Sequence, residues 1–311
     1  MNYESCLKKI TDSNERVMVL TAENRAFIRN LPHQIKERFV DFGIAEQTMI
    51  GAACGLALRG KIPVCHALAA FLTMRSFEFI RTDVGIANLP VKLVGCFAGF
   101  LSEANGPTHQ AIEDISLINS IPGICIFAPS DEEDMLIGLE QVINSPKPFY
   151  IRYNHLKPAV NHDSNFRIGK AEIINWGNDI TILTYGTLLR QAYEAMIILE
   201  NNGISVRLIN MRCLKPIDEG IIINSALETN LIVTIEDHFL CGGLYSIICE
   251  ILVRNLINSH VLPFGIKDKW FKPCLLNDIL TYEKFTGSDI SQKILLYYNN
   301  YIEDIKIKSL I

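Results

Sequence analysis

Residues 39–109 constrain the fold of this chain more than any other stretch. Three apolar runs of strand length, at 38–42, 62–66 and 91–96, are separated by helical patterns at 47–58 and 69–84. Strands buried on both faces read as short continuous apolar runs, and parallel neighbours need a crossover helix between them. The same alternation continues on either side, with strands at 16–21, 124–128 and 148–153 and helices at 6–13 and 111–119. Ser130, followed by Asp131, Glu132 and Glu133, reads as the N-cap of a further helix. The pattern predicts an α/β domain with a mostly parallel sheet and helices on both faces.

The polar stretch 154–167 carries Pro158 and no apolar period, and reads as a linker. Beyond it a second α/β series runs through strands at 179–186, 206–211, 231–236 and 262–266, with helices at 188–201, from 216 and at 244–253. The expected division is residues 1–160 and 168–311. With 311 residues, 49% of them hydrophobic, the chain can bury a core in each domain. A net charge of −5 and no dense Lys/Arg patch argue against a nucleic-acid partner. No apolar run is long enough to span a bilayer, and the polar start Met1-Asn2-Tyr3-Glu4-Ser5 is no signal peptide. Nine scattered cysteines, several of them in apolar runs, read as reduced thiols of a cytoplasmic protein rather than disulfides or a zinc site.

Glu46 opens a helix too apolar to be a solvated face, so its carboxylate is expected in a partly buried site where its pKa can rise. The plain alternative is an acid that complements the helix dipole. The small residues of that helix suggest close packing against another helix or subunit. His109 lies in a Gly-Pro-Thr-His turn that aims it outward. Glu113 and Asp114 would set its tautomer or simply cap the next helix. Phe71 and Met74 are core residues by default. Arg75 and Arg152 are ordinary basic residues unless they face a pocket, where phosphate binding becomes plausible. Gly242-Gly243 precedes a helix without a full GxGxxG pattern, which favours tight packing over anion binding. Glu236-Asp237-His238 reads as a metal or acid–base cluster, or as turn and interface contacts. A carboxylate and an imidazole on successive strand-to-helix turns suit acid–base chemistry at the carboxyl edge of a parallel sheet. On these residues alone the chain is a two-domain, oligomeric α/β enzyme.

Phe42-Gly43-Ile44-Ala45-Glu46-Gln47, Asn105-Gly106-Pro107-Thr108-His109-Gln110 and Glu236-Asp237-His238 with Gly242-Gly243 follow in this order. In this the chain resembles the C-terminal half of transketolase, most of all the small subunit of split transketolases in the thiamine diphosphate superfamily. Deoxyxylulose-phosphate synthase and the β subunits of 2-oxoacid dehydrogenase E1 components are more distant relatives. The resemblance covers nearly the whole chain. It implies a pyrimidine-binding domain followed by a transketolase C-terminal domain.

The resemblance implies that Glu46 hydrogen-bonds the aminopyrimidine N1′ of thiamine diphosphate, favouring the tautomer that takes the proton from thiazolium C2. Phe71 is implied to stack on the pyrimidine, His109 to contact the ketose donor, and Arg152 to hold a substrate phosphate. Asn105 stands where the family has an Asp that contacts a donor hydroxyl, and Phe97 where many members have a phosphate-holding His. The superfamily's Gly-Asp-Gly motif, which holds Mg²⁺ and the diphosphate, is absent from the sequence. The resemblance therefore implies no metal ligand in this chain. It implies a large partner subunit carrying that motif, in an α₂β₂ heterotetramer with the site at the interface. The implied activity is transfer of a two-carbon ketol unit from a ketose (phosphate) donor to an aldose, or to an atypical acceptor such as a lipoyl or carrier-protein group. Two other readings stay open. One is a 2-oxoacid dehydrogenase E1 β-type subunit, against which the Gly-Pro-Thr-His loop speaks. The other is a degenerate non-catalytic partner, against which retention of Glu46 and His109 speaks.

Overall fold

Every apolar run expected to be a strand forms one, with shifts only at the ends. The computed structural model describes residues 1–308, with side chains through 300. The first half runs α1 (Tyr3–Ser13), β1 (Val17–Thr21), α2 (Leu31–Ile35), β2 (Phe39–Asp41), α3 (Glu46–Leu58), β3 (Ile62–Leu68), α4 (Phe77–Phe79), β4 (Lys92–Cys96), α5 (Asp114–Asn119), β5 (Cys125–Phe127), α6 (Glu132–Asn144) and β6 (Phe149–Arg152). The second half runs β7 (Glu172–Asn175), β8 (Ile180–Thr184), α7 (Leu189–Asn201), β9 (Val206–Asn210), β10 (Cys213–Lys215), α8 (Glu219–Glu228), β11 (Leu231–Phe239), α9 (Leu244–Arg254), β12 (Val261–Ile266), α10 (Leu276–Tyr282) and α11 (Gly287–Lys308).

Two sheets result, one in each half: β10-β5-β6-β4-β3-β1-β2 and β12-β11-β8-β9-β7. All pairings are parallel except β10 with β5 and β7 with β9. These two exceptions are also the strands that the sequence pattern misses. β7 is only half-buried and β10 is three residues long, so neither carries a continuous apolar run. β10 belongs to the second half in sequence but adds an edge to the first sheet, so the two units are joined through backbone as well as side chains.

Three further expectations change. The helix expected at 69–84 is broken into π-helical turns, Phe71–Arg75 and Ile80–Ile86, around the single turn of α4. Such widened turns are uncommon and concentrate at functional sites. The loop after β4 holds a 3₁₀ segment, Gly99–Asn105, with Glu103 at φ 44°. The cap of α6 is Asp131, whose side chain accepts from the Asp134 N–H, and not Ser130. All nine cysteines are free thiols, six of them buried. Among the described residues no helix is long and apolar enough to cross a membrane.

Charged groups close the seam between the two units. Arg152, at the end of β6, pairs with Asp114 at 2.9 Å and with Asp237 of β11. A second cluster joins α6 to β7 and β9. His162 bonds Asp131 at 2.8 Å and Glu172 at 2.9 Å, while Arg212 forms ion pairs with Asp134 at 2.7 Å and Glu172 at 2.8 Å. Asn210 donates to Asp134 and Glu172. The linker thus contributes His162 to a buried network rather than running free over the surface.

Candidate active site

Parallel β2, β1, β3 and β4 lie side by side, so the turns that follow β2, β3 and β4 emerge at one edge. Those turns carry Glu46, Phe71 and His109. Glu46 is the first residue of α3, and the apolar face formed by Met49, Ile50 and Ala53 draws that helix onto the sheet. The carboxylate is 3% exposed and pairs with Arg75 Nη1 at 2.9 Å. A charge removed from water needs such a partner.

Arg75 ends the π-helical turn that Phe71 begins. Its guanidinium carbon lies 4.3 Å from the centroid of the Phe71 ring, a stacking contact as well as a cation–π one. The edge of the His109 ring meets Phe71, with centroids 5.0 Å apart and planes at 64°. Glu46, Phe71 and His109 therefore form one constellation, linked through Arg75. The sequence offered Arg75 only as a basic residue of either kind. The signal that places it here is its spacing, four residues after Phe71 on the same helical face.

His109 is half-exposed and held in its turn by its N–H to Gly106 C=O, 2.9 Å, with Nδ1 2.8 Å from Thr108 Oγ1. The acids expected to set its tautomer do not reach it. Glu113 accepts from the Ile112 N–H, and Asp114 accepts from Tyr150 Oη and Arg152 Nε. Asn105 sits exposed in the same loop and donates Nδ2 to Ser102 C=O at 3.1 Å. Phe97, at φ 57°, packs on Phe27 with centroids 5.2 Å apart.

Arg152 is not brought to this constellation with a free charge. It is 4% exposed, and Asp114 and Asp237 already match its single positive charge twice. Burial disfavours the guanidinium charge, but these two carboxylates outweigh it and hold the pKa well above the ordinary range. The void it lines with Tyr153, Asn154, Gly186 and Thr187 is about 10 Å³, room for a water and not a phosphate. Arg152, expected to hold a substrate phosphate, here spends its charge on two carboxylates of its own chain.

Glu236-Asp237-His238 also resolves into internal contacts. Glu236 accepts from the N–H groups of Leu244 and Tyr245 at 2.7 and 2.9 Å, so the chain supplies its own anion to the start of α9. Burial pushes its carboxyl up to about 8 against the pull of those two amides. Gly243 is needed because a Cβ there would come within 2.1 Å of Glu236 Oε2. His238 Nε2 accepts from the Ser116 N–H at 3.3 Å, and Nδ1 donates to its neighbour Phe239 C=O. Asp134, His162 and Glu172 are near enough to hold a metal ion, but Arg212, Asn210 and the His162 ring already occupy those oxygens. That cluster is a poor fit for Mg²⁺, which keeps several waters and asks for open oxygen positions.

This arrangement has known counterparts. Residues 2–158 match the transketolase pyrimidine-binding domain and residues 169–290 the transketolase C-terminal domain. The 6-deoxy-6-sulfo-D-fructose transketolase subunit SqwH of Clostridium sp. (strain MSTE9) is 35% identical over 81% of this chain and 80% of its own length. The putative transketolase C-terminal section of Methanocaldococcus jannaschii is 32% identical, with 94% of each chain covered. A 1-deoxy-D-xylulose-5-phosphate synthase of Dictyoglomus turgidum is 38% identical, but this chain spans only 44% of its length. A split gene transketolase solved as an inactive beta4 tetramer superimposes with a TM-score of 0.84 at 30% identity over 96% of each chain. The chain belongs to the transketolase family, as a transketolase-type subunit built from the pyrimidine-binding and C-terminal domains.

Proteins of this family use thiamine diphosphate, and half of that cofactor finds fitting residues here. Glu46 is a buried carboxylate whose partner, Arg75, is 44% exposed, and Phe71 presents a ring beside it. A carboxylate next to an aromatic face is the donor set that a planar aminopyrimidine asks for. The diphosphate and its metal find no such set in Gly-Asp-Gly form, since the sequence lacks the motif.

Proposed function

We propose that this chain is the small subunit of a two-component, thiamine diphosphate-dependent transketolase-type enzyme. In this reading it transfers a two-carbon ketol unit from a ketose (phosphate) donor to an aldose or to an atypical acceptor such as a lipoyl or carrier-protein group. The single observation that carries the reading is the Glu46–Phe71–His109 constellation on an open sheet edge, in a chain without Gly-Asp-Gly. When bound, thiamine diphosphate supplies the electron sink for breaking and making the carbon–carbon bond. Glu46 holds or releases a proton opposite the pyrimidine N1′, Phe71 orients the ring by stacking, and His109 moves protons at the donor's hydroxyl and carbonyl oxygens. Asn105 lies on the substrate side of the same loop.

The missing half of the cofactor site is assigned to a large subunit that carries Gly-Asp-Gly and Mg²⁺, in an α₂β₂ assembly. A bare face of α3 beside Glu46 supports this. Gly51 and Gly55 face open space, and Ile44 and Leu58 are 72% and 73% exposed. Aliphatic side chains beside a glycine-smoothed helix suit close subunit packing. The names of the relatives, a transketolase subunit and an inactive tetramer of one split chain, support partner dependence.

The test is reconstitution with a Gly-Asp-Gly subunit, thiamine diphosphate and Mg²⁺, followed by a ketol-transfer assay. Ketol transfer by the pair, with none by the isolated chain, is expected. Full activity of the isolated chain would overturn the split assignment, and release of CO₂ from a 2-oxoacid would move the chain to the E1 reading.

A further inference from the structure

Arg75 makes two contacts at once: a face contact with Phe71 at 4.3 Å and an ion pair with Glu46 at 2.9 Å. These are the same two contacts that the aminopyrimidine of the cofactor needs under the reading above. A guanidinium and an aminopyrimidine are alike in what matters here. Both are flat, both stack on an aromatic ring, and both set an in-plane nitrogen against the carboxyl group, the guanidinium as an N–H donor and the pyrimidine as N1′, with the proton shared between it and Glu46. We infer that Arg75 is an internal stand-in for the pyrimidine: it stoppers the Glu46–Phe71 site in the free chain and swings aside when the cofactor enters. This inference rests on the thiamine diphosphate reading.

The surroundings fit a displaceable stopper rather than a fixed strut. Arg75 is 44% exposed, so its side chain reaches the site from the solvent side and has water to return to. Its backbone is held, since Gln47 Nε2 donates to the Arg75 C=O at 3.2 Å, so the motion is confined to side-chain torsions. Among the described residues, its guanidinium contacts are those to Glu46 and Phe71, so these are the ones that would have to break. Arg152 is the internal contrast, with a guanidinium gripped by two buried carboxylates. The stopper also has a purpose in a chain that waits for a partner. It neutralises a carboxylate that would otherwise be buried alone.

A ligand that must displace a closed conformer binds more weakly by the fraction of open molecules. Removing the stopper therefore tightens cofactor binding while it weakens the free chain. The experiment is calorimetric titration of thiamine diphosphate, with Mg²⁺, into the chain assembled with its Gly-Asp-Gly partner. Wild type is compared with Arg75→Met and Arg75→Gln, alongside melting of the free chains. The expected result is a Kd lower on the order of tenfold in both variants, with a lower melting temperature of the free chain that bound cofactor restores. A second readout needs no variant: in the ¹⁵N-arginine-labelled assembly the Arg75 Nε–H signal should move and exchange faster with water when the cofactor is added. A Kd that is unchanged or higher in both folded variants, or an Arg75 signal that the cofactor leaves in place, overturns the stopper and leaves the transketolase reading standing. No binding of thiamine diphosphate to the wild-type assembly overturns both.

Discussion

Two arginine–carboxylate centres define this molecule, and they differ in how completely the chain satisfies them. At the seam, Arg152 meets Asp114 and Asp237 in a place closed to water, and the His162–Arg212 cluster likewise pairs its charges internally with Asp131, Asp134 and Glu172. At the sheet edge, Glu46 is nearly as buried, yet its partner Arg75 stands half in solvent. Charge that a chain satisfies from several sides is architecture. Charge that it satisfies once, from the solvent side, is available to something else. The comparison can be broken by experiments on each centre.

The largest effect is expected at the seam. Arg152→Ala leaves Asp114 and Asp237 buried without a counter-charge, a loss of about 3–5 kcal/mol of unfolding free energy. Denaturant unfolding of the folded chain measures it. A variant that keeps its stability but loses affinity for a phosphorylated donor would return Arg152 to the substrate-binding role that the family resemblance implies.

The next effect is expected at the edge and in catalysis. Glu46→Gln keeps a hydrogen-bonding side chain toward Arg75 but removes the carboxylate. Turnover of the reconstituted pair should fall about 10³-fold. The melting temperature of the free chain should move far less than in Arg152→Ala. Comparable losses of stability in the two variants would erase the distinction between the centres.

What could be read from the sequence, and what could not, follows the same division. The ten apolar strands and their order were legible because burial on both faces leaves a continuous run. Strand β10 was not, because its three residues owe their place to pairing with β5 across the seam, a long-range contact that no local pattern records. Glu46 and His109 were legible as types at strand-to-helix turns, Phe71 only through the family resemblance, and the sheet does bring the three together. The identity of the two arginines was not. Arg75 and Arg152 look alike in sequence, and only the acids that the fold delivers to each of them decide which is held and which is free to move. The role of His162 was hidden for the same reason, since its ring is held between Asp131 and Glu172, the latter from the second half.

His162 gives a smaller effect, visible as pH dependence. Burial disfavours its charge, but the hydrogen bonds it donates to Asp131 and Glu172 outweigh that and lift the ring to about 10 from its ordinary 6.5. A folded-state pKa raised above the unfolded one means that the native chain holds more protons. The stabilisation is complete below the unfolded value and is lost as pH rises toward the folded value. Unfolding free energy should therefore decline between pH 6.5 and about 10, with a slope of at most ~1.4 kcal/mol per pH unit from this residue. His162→Gln should flatten that slope. An unchanged slope would show that the seam does not hold a charged imidazole.

The smallest effect separates the two ends of the open site itself. Asn105 is exposed and spends its amide on Ser102 C=O at 3.1 Å, a bond that a carboxylate cannot donate. Asn105→Asp restores the residue type usual in the family at the loss of that loop contact, worth about 1 kcal/mol. Because Asn105 lies on the His109 loop and not beside Glu46, the change should be felt by the donor alone. The ratio of kcat/KM values for two ketose donors should shift by less than about tenfold, the span of ~1.4 kcal/mol. The Kd for thiamine diphosphate should stay the same. A change in cofactor affinity as large as the change in donor preference would mean that the loop and the Glu46 turn act as one unit, and that the open edge is less divisible than its geometry suggests.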